Sequence, residues 1–174
     1  DSNQEIFWAS GACFFIRSSV YKELNGFDTS FFAHQEEIDL CWRAINKGYS
    51  IKYLFDSKVY HVGGATLQKG NPRKTELNFR NSLLMLTKNV PQKDLYRVLF
   101  IRMVLDGIAG IKFLSEKQPK HCISILKAHL AFYKLFSENY AKRSNYQQSN
   151  YYITKSIVFS YFIKKIRFFN DLIS

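Results

Sequence analysis

Three carboxylates lie within four positions of this 174-residue sequence, at Glu36, Glu37 and Asp39, where a helix is predicted to begin. Apolar residues then recur at the three- and four-residue spacing of one helix face until Gly48. The free N–H groups of a helix N-terminus favour ionised carboxylates, whereas mutual repulsion and burial raise their pKa values. A carboxylate held between these opposing effects can serve as a general base.

A second interpretation of the same acids is structural. Acids in a first helical turn commonly compensate the helix dipole, and Asp39 is spaced to form an i, i+4 ion pair with Arg43. Both interpretations stay open at this point.

The first 70 residues read as an α/β segment that would position the acids. Residues 7–17 are rich in strand-forming side chains, with Gly11 at a bend or a close backbone approach. Further strands are predicted at 50–55 and 58–62. A short helix is predicted between the first strand and the acids, capped by Ser18 or Ser19.

Beyond Pro72 the periodicity becomes that of helices. One helix, capped by Thr75 or a neighbour, ends near Pro91, and three more are predicted near 92–115, 119–141 and 151–172. Charged residues interrupt the helices predicted at 92–115 and 151–172, which argues against transmembrane spans. The last is basic and amphipathic, so its apolar stripe is a candidate for a membrane interface or for a partner helix.

Composition predicts a folded chain and a basic second half. Hydrophobic residues make up 47% of the sequence and aromatic residues 17%, which argues against disorder. The three cysteines are odd in number and widely spaced, as expected in a reducing cytosol without a disulfide framework or zinc site. Residues 1–60 carry six Lys or Arg against eight Asp or Glu, net −2, whereas residues 61–174 carry nineteen against six, net +13.

Such a basic half implies a polyanionic neighbour, either an anionic membrane face or nucleic acid. The basic residues are dispersed along amphipathic helices, and no RNP-like, KH or zinc pattern is present, so nucleic acid is not the expected partner. A basic helical module that binds a membrane surface or nucleic acid without catalysis is the alternative to an enzymatic function.

Six short elements carry a resemblance through their order and spacing: Trp-Ala-Ser-Gly-Ala-Cys-Phe-Phe-Ile-Arg at 8–17, Gly-Phe-Asp at 26–28, Phe-Phe at 31–32, Glu-Glu-Ile-Asp-Leu-Cys-Trp-Arg at 36–43, Gly-Tyr at 48–49 and Val-Tyr-His-Val-Gly-Gly at 59–64. Residues 7–90 resemble the acceptor-side half of family-2 glycosyltransferases, particularly the rhamnosyltransferase-like bacterial members. The resemblance implies the C-terminal part of a GT-A domain over 1–72 and a mostly helical, basic region over 73–174.

In that family the acidic helix start carries the catalytic base of an inverting, single-displacement sugar transfer. Glu36 matches the family Glu, Glu37 matches the Asp that takes the acceptor proton, and Asp39 matches the later Asp. Because this chain has Glu where Asp is usual, either Glu36 or Glu37 is the candidate base. Asp39 is a candidate acceptor contact, with a structural role favoured over a catalytic one.

The resemblance also assigns the residues around the acids. The candidate acceptor-pocket loop contains Trp8, Ser10, Gly11 and Ala12, although Trp8 could equally be a core residue. His61 is a candidate metal or diphosphate contact beside Gly63 and Gly64, and the alternative for His61 is a hydrogen-bonded structural role. Arg80 and Asn81 match an Arg-Asn pair of the family, and the alternative for this pair is a solvated helix face.

The sequence contains neither an Asp-x-Asp at a strand end nor a Gly-rich phosphate loop, which the resembled enzymes use to hold a nucleotide sugar and its Mg2+ or Mn2+. We therefore expect a piece of a longer enzyme that is inactive, free of metal and prone to self-association by itself. The full-length enzyme would use a divalent cation and transfer a sugar to a saccharide or lipid-linked acceptor in cell-surface polysaccharide synthesis. It would act in the cytoplasm, at the inner membrane face.

Overall fold

The computed structural model describes residues 4–61, 70–145, 147–148, 151–152, 156–168 and 170–173. These residues form two short strands and seven α-helices. The strands are β1 (Gln4–Ile6) and β2 (Ile51–Tyr53). The helices are α1 (Ser18–Glu23), α2 (Glu36–Asn46), α3 (Pro72–Asn89), α4 (Leu95–Ser115), α5 (Pro119–Ala141), α6 (Ile157–Phe162) and α7 (Asn170–Ile173).

The described part of the chain is mostly helical, with one small antiparallel sheet. Strand β1 pairs with β2 in the register Gln4 to Tyr53 and Ile6 to Ile51. The strand predicted at 50–55 is confirmed in its central three residues. The strand predicted at 7–17 is wrong, because the chain turns at Gly11: the Cys13 N–H donates to the carbonyl of Ser10 at 3.2 Å. The described residues 58–61 of the other predicted strand also pair with no neighbour.

Helices α1 to α5 confirm the predicted helical segments, although two of their caps differ. Helix α1 follows Arg17 and has no side-chain cap, so neither Ser18 nor Ser19 caps it. Asn71 caps α3, since its Oδ1 accepts a hydrogen bond from the Arg73 N–H at 2.9 Å. Thr75, the predicted cap, instead contacts His121 Nδ1 through its hydroxyl at 2.7 Å.

The single helix predicted over 151–172 is wrong. Helix α6 ends at Phe162, and the described residues 163–168 are not helical before α7 begins at Asn170. Lys165 has a left-handed backbone conformation with φ of 58°, which a right-handed helix cannot contain without strain. The tail therefore lacks the continuous amphipathic stripe that a single helix would present.

Two clusters of buried side chains hold the elements together. The larger cluster lies between α3, α4 and α5 and also takes in Phe31 from the loop before α2; its buried members are Phe31, Leu83, Leu84, Leu95, Leu99 and Phe132. The smaller cluster joins α1 to α2 through Val20, Leu24, Leu40 and Ala44. Helix α2 thus belongs to the smaller cluster, and it also contacts α3. Within the described residues, no helix combines the length and apolarity needed to cross a bilayer.

Candidate functional site

The acid pair lies where the sequence predicts it, in the first turn of α2. Among the described residues, no Lys, Arg or His lies within salt-bridge distance of Glu36 or Glu37. Oxygen Oε2 of Glu36 is buried and has no hydrogen-bond partner within the described structure. Burial, followed by repulsion from Glu36, raises the pKa of Glu37 above its ordinary 4.5. A carboxylate with these properties is suited to accept a proton near neutral pH.

The loop that enters α2 has an unusual backbone. Phe32, His34 and Gln35 all have positive φ angles, of 62°, 70° and 74°, although none of them is glycine. Each such residue costs roughly 1–3 kcal/mol unless its surroundings hold it in place. The loop therefore needs external support to keep the acid pair in position.

Arg80 and Asn81 of α3 supply that support. Asn81 is fully buried, and its Nδ2 donates to the carbonyls of Phe31, Ala33 and His34 at 2.7–2.9 Å. Arg80 Nη2 donates to the carbonyls of Ser30 and Phe31 at 2.9 and 3.0 Å, and its Nε bonds Asn81 Oδ1. The pair is therefore a clamp on the loop, and the alternative of a solvated helix face is excluded for Asn81.

Asp39 lies behind the acid pair in a buried network of charges. It is fully buried, and its Oδ2 accepts hydrogen bonds from Arg43 Nε and Lys88 Nζ, both at 2.8 Å. Its Oδ1 accepts a third bond from Asn89 Nδ2 at 2.9 Å. Both oxygens are thus occupied by side chains of this chain, which gives Asp39 the structural role and leaves no oxygen exposed to an acceptor.

Asp28 extends the same network toward α5. Its carboxylate caps the 3-10 turn at Thr29–Phe31 by accepting from the Ser30 N–H at 3.0 Å, and it binds Lys88 Nζ at 2.7 Å and Lys142 Nζ at 3.2 Å. Burial opposes ionisation of Asp28, but the bonds from Lys88 and Ser30 outweigh it and hold its pKa far below the usual range. The network therefore fixes both ends of the loop before α2.

Arg43 connects this network to the end of α1. Besides Asp39, it donates through Nη1 to the carbonyl of Leu24 and through Nη2 to that of Gly26 at 2.8 Å. Gly26 has φ of +62°, and a Cβ there would come within 2.9 Å of the Tyr21 ring. The i, i+4 pair predicted for Asp39 and Arg43 is thus confirmed, as part of a larger assembly.

The predicted acceptor loop lines a cavity of about 780 Å³. Trp8, Ser10, Ala12 and His61 are all among its lining residues. Trp8 is 43% exposed, which excludes the alternative that it is simply a core residue. Trp8 therefore contributes a partly exposed aromatic side chain to the cavity wall.

The glutamates lie beside this cavity and do not line it. Gly11 connects the two features, because a Cβ added to it would contact the side chain of Glu37 at 3.8 Å. Glu37 thus lies against the loop whose neighbouring residues Ser10 and Ala12 form part of the cavity wall. Glu36 is one position farther toward the clamped loop.

Of the residues predicted to contact the donor or its cation, only some lie in the described part of the chain. His61 lies on the cavity wall, whereas the predicted contacts Gly63 and Gly64 fall outside the described residues. No three His, Cys, Asp or Glu side chains in the described part of the chain come together as a metal site would require. The cation role of His61 stays a prediction.

Several residues that shape the site carry no clear sequence signal. In the sequence, Lys88 and Asn89 indicate only the end of a helix, yet both side chains donate hydrogen bonds to Asp39. His34 reads as a loop residue, yet its Nε2 is buried with no hydrogen-bond partner in the described structure, and burial lowers its pKa. In the sequence, the position of His34 two residues before the acid pair is what connects it to the site.

Comparisons with known proteins find partial similarities to sugar transferases. The chain is 32% identical over 60 residues to an N-acetylglucosaminyl-diphospho-decaprenol L-rhamnosyltransferase of Mycobacterium tuberculosis, which covers 34% of this chain and 20% of that protein. It is 34% identical over 53 residues to the rhamnosyltransferase WbbL of Escherichia coli K12, with 30% of this chain and 20% of that protein covered.

A longer match extends over 116 residues at 24% identity, to the low-salt glycan biosynthesis hexosyltransferase Agl10 of Haloferax volcanii, and covers 65% of this chain and 38% of that protein. The matches thus span between a fifth and two fifths of the length of these curated relatives. No protein-family model and no solved structure matches the sequence. These partial, low-identity similarities support a relationship between the chain and glycosyltransferases of the rhamnosyl- and hexosyltransferase kind.

Proposed function

We propose that this chain is the acceptor-side, base-carrying part of an inverting glycosyltransferase with a GT-A domain. The observation that carries the proposal is the acid pair in the first turn of α2, which has no cationic partner among the described residues, follows the loop held by Asn81, and adjoins an open cavity through Gly11. Helix-dipole compensation alone would explain the positions of Glu36 and Glu37, but not their place beside an open cavity.

In the proposed reaction, Glu37 accepts the proton of an acceptor hydroxyl while that oxygen attacks the anomeric carbon of the donor. The carbon–oxygen bond to the nucleotide diphosphate breaks on the opposite face, so the anomeric configuration inverts. An alcohol is a weak nucleophile, and a fixed carboxylate contributes roughly 10²–10⁴-fold to such a step. Glu36 raises the proton affinity of Glu37 through repulsion.

The cavity supplies the acceptor contacts in this proposal. Trp8 offers an exposed aromatic face on which a sugar ring can stack, and Ser10 offers a hydroxyl. The acceptor is a saccharide or a lipid-linked sugar in cell-surface polysaccharide synthesis, and the enzyme works at the cytoplasmic membrane face.

The donor side of the proposal rests on residues that this sequence does not contain. In the full-length enzyme, a nucleotide-binding half would hold the nucleotide sugar and its divalent cation. From this chain, His61 would contribute a contact to that site. The described residues alone do not form a cation site. By itself the chain is proposed to be inactive in transfer, and its self-association is a further expectation.

The test is a donor screen of the full-length protein. A panel of nucleotide sugars is offered with saccharide and lipid-linked acceptors, nucleotide diphosphate release is measured, and the product's anomeric configuration is read by NMR. We expect release with one donor that depends on the acceptor and gives an inverted linkage. A retained configuration would contradict the single-displacement mechanism, and acceptor-independent hydrolysis alone would contradict the assignment of the acceptor site.

A further inference from the structure

Helix α4 carries apolar side chains on its outward side as well as on its inward side. Inward, Leu95 and Leu99 are buried in the core, together with Asp106, whose two oxygens bind Arg102 Nε at 2.6 Å and His129 Nε2 at 3.0 Å. Outward, the same helix carries large exposed apolar side chains over four turns, including Phe100 at 69% and Ile111 at 68% exposure. A helix on a water-facing surface normally has a polar outer side.

The apolar surface, here called the α4–α5 face, continues onto the neighbouring helix. Its members on α4 are Phe100, Ile101, Val104, Leu105, Ile108, Ile111 and Leu114, and on α5 Ile123, Leu126, Leu130 and Tyr133. The Tyr133 hydroxyl lies 3.5 Å from the sulfur of Met103, which brings the exposed apolar edge of α5 beside α4. Contiguous apolar surface of this kind marks a site of contact with a protein or a membrane.

Cations border the α4–α5 face. Residues 93–134 contain eight Lys or Arg against three Asp or Glu, net +5, and one of the three acids is the inward-facing Asp106. The exposed cations are Lys93 and Arg97 at one end, Lys112, Lys117 and Lys120 at the other, and Lys127 and Lys134 along α5. The other two acids, Asp94 and Glu116, pair with Arg97 and Lys112.

We infer that the α4–α5 face docks on an anionic membrane surface, with the apolar side chains in the interfacial layer and the bordering cations at lipid headgroups. A stripe without charged side chains bordered by Lys and Arg is the pattern of interfacial helices. A second copy of the chain fits less well, because both ends of the face are basic and any pairing of two copies would bring like charges together.

This surface is separate from the acid pair, so the inference does not depend on sugar transfer. It also differs from the membrane contact expected from the sequence, which was assigned to the tail. The docking helices are the hairpin that packs on α3, and α3 holds the loop before the acid pair through Asn81. A membrane bound at this face would fix the cavity relative to lipid-linked molecules.

The test is vesicle co-sedimentation of the full chain. We expect binding to phosphatidylcholine vesicles that contain about 30% phosphatidylglycerol, little binding to phosphatidylcholine alone, and weakening in about 0.5 M salt. The variant Phe100→Ser/Ile111→Ser should bind at least tenfold more weakly, on the order of the loss expected for two inserted side chains. Both residues are exposed, so the circular dichroism spectrum should be unchanged.

A matched control is Phe15→Ser/Tyr60→Ser, since these side chains are 93% and 98% exposed and lie outside the α4–α5 face. The control should bind vesicles like the wild type. Equal loss in both double variants, or no vesicle binding by the wild type, would overturn the inference. A wild-type dimer in sedimentation velocity that Phe100→Ser/Ile111→Ser dissociates, without any vesicle binding, would assign the face to a second copy instead.

Discussion

At the scale of single residues, the chain separates its carboxylates into two kinds. Asp28 and Asp39 are enclosed by Lys and Arg side chains and are structural. Glu36 and Glu37 lie one helical turn or less from Asp39 and have no cationic partner among the described residues. This difference in ion pairing distinguishes the candidate bases, Glu36 and Glu37, from the carboxylates that stabilise the fold.

The raised pKa of Glu37 predicts the pH dependence of transfer. A general base works only when ionised, so activity should fall as pH falls through a value above 4.5. Substitution Glu36→Gln removes the smaller cause of the shift and leaves burial, the larger one. The acidic limb of kcat/KM in the full-length enzyme should therefore move to lower pH and stay above 4.5. A limb that stays in place or moves upward would argue against Glu37 as the titrating group.

Asp28, whose pKa is shifted in the opposite direction to that of Glu37, predicts a pH dependence of stability. Its folded pKa is depressed, so its ionisation stabilises the fold above the ordinary value of 3.8, and that contribution is lost as pH falls toward the folded pKa. Substitution Asp28→Asn should lower the free energy of unfolding at pH 7 by about 2 kcal/mol. In urea unfolding, the difference in free energy of unfolding between Asp28→Asn and the wild type should narrow progressively below pH 3.8. A difference that does not depend on pH would contradict this assignment.

At the scale of elements, α3 is the support for α2. Lys88 of α3 provides a buried link in this support. Its Nζ bonds both Asp28 and Asp39, and only 3% of its side chain is exposed. Substitution Lys88→Met leaves the buried carboxylate of Asp39 and the partly buried one of Asp28 short of a partner and should destabilise the fold by about 3–5 kcal/mol. Lys47→Met, which breaks an exposed pair with Glu23, is the control and should change little. Thermal unfolding of both variants checks this, and equal effects would contradict the network.

Asn81 predicts an effect on catalysis through positioning. Asn81→Ala removes hydrogen bonds to three carbonyls of the strained loop, of which that of Phe31 keeps its bond from Arg80, so the acid pair should lose its fixed geometry. Misplacement by about 1 Å can lower a rate roughly a hundredfold. We expect kcat to fall between tenfold and a hundredfold in the full-length enzyme, with nucleotide-sugar affinity unchanged. The control Arg73→Ala, on the exposed side of α3, should keep kcat; a loss of donor affinity in Asn81→Ala would contradict a positioning role.

At the scale of the whole molecule, local patterns in the sequence were enough to predict helices α1 to α5 and the acid pair at the start of α2. They failed at residues 7–17, where a turn at Gly11 overrides strand-forming side chains, and at 151–172, where Lys165 interrupts an apparently regular periodicity. They also could not show that Asp39 meets Lys88 and Asn89, because about fifty residues separate these partners. Contacts over such distances leave no periodic signature.

The same limit applies to the α4–α5 face. Periodicity indicated an amphipathic helix at 92–115 but not which side faces inward, because Asp106 could as well have been on the surface. The packing against His129 shows that Asp106 lies on the buried side of α4, the side that also carries Leu95 and Leu99.

The most direct test of the account is the transfer rate of Glu37→Gln in the full-length enzyme, measured beside the matched variant Glu36→Gln. Glutamine keeps the shape and hydrogen-bonding capacity of the side chain but cannot accept the acceptor proton. We expect Glu37→Gln to lower kcat by roughly 10²–10⁴-fold with nucleotide-sugar binding intact, and Glu36→Gln to keep most of the rate at neutral pH. Full activity in Glu37→Gln, with the loss in Glu36→Gln instead, would contradict the assignment of Glu37 as the base.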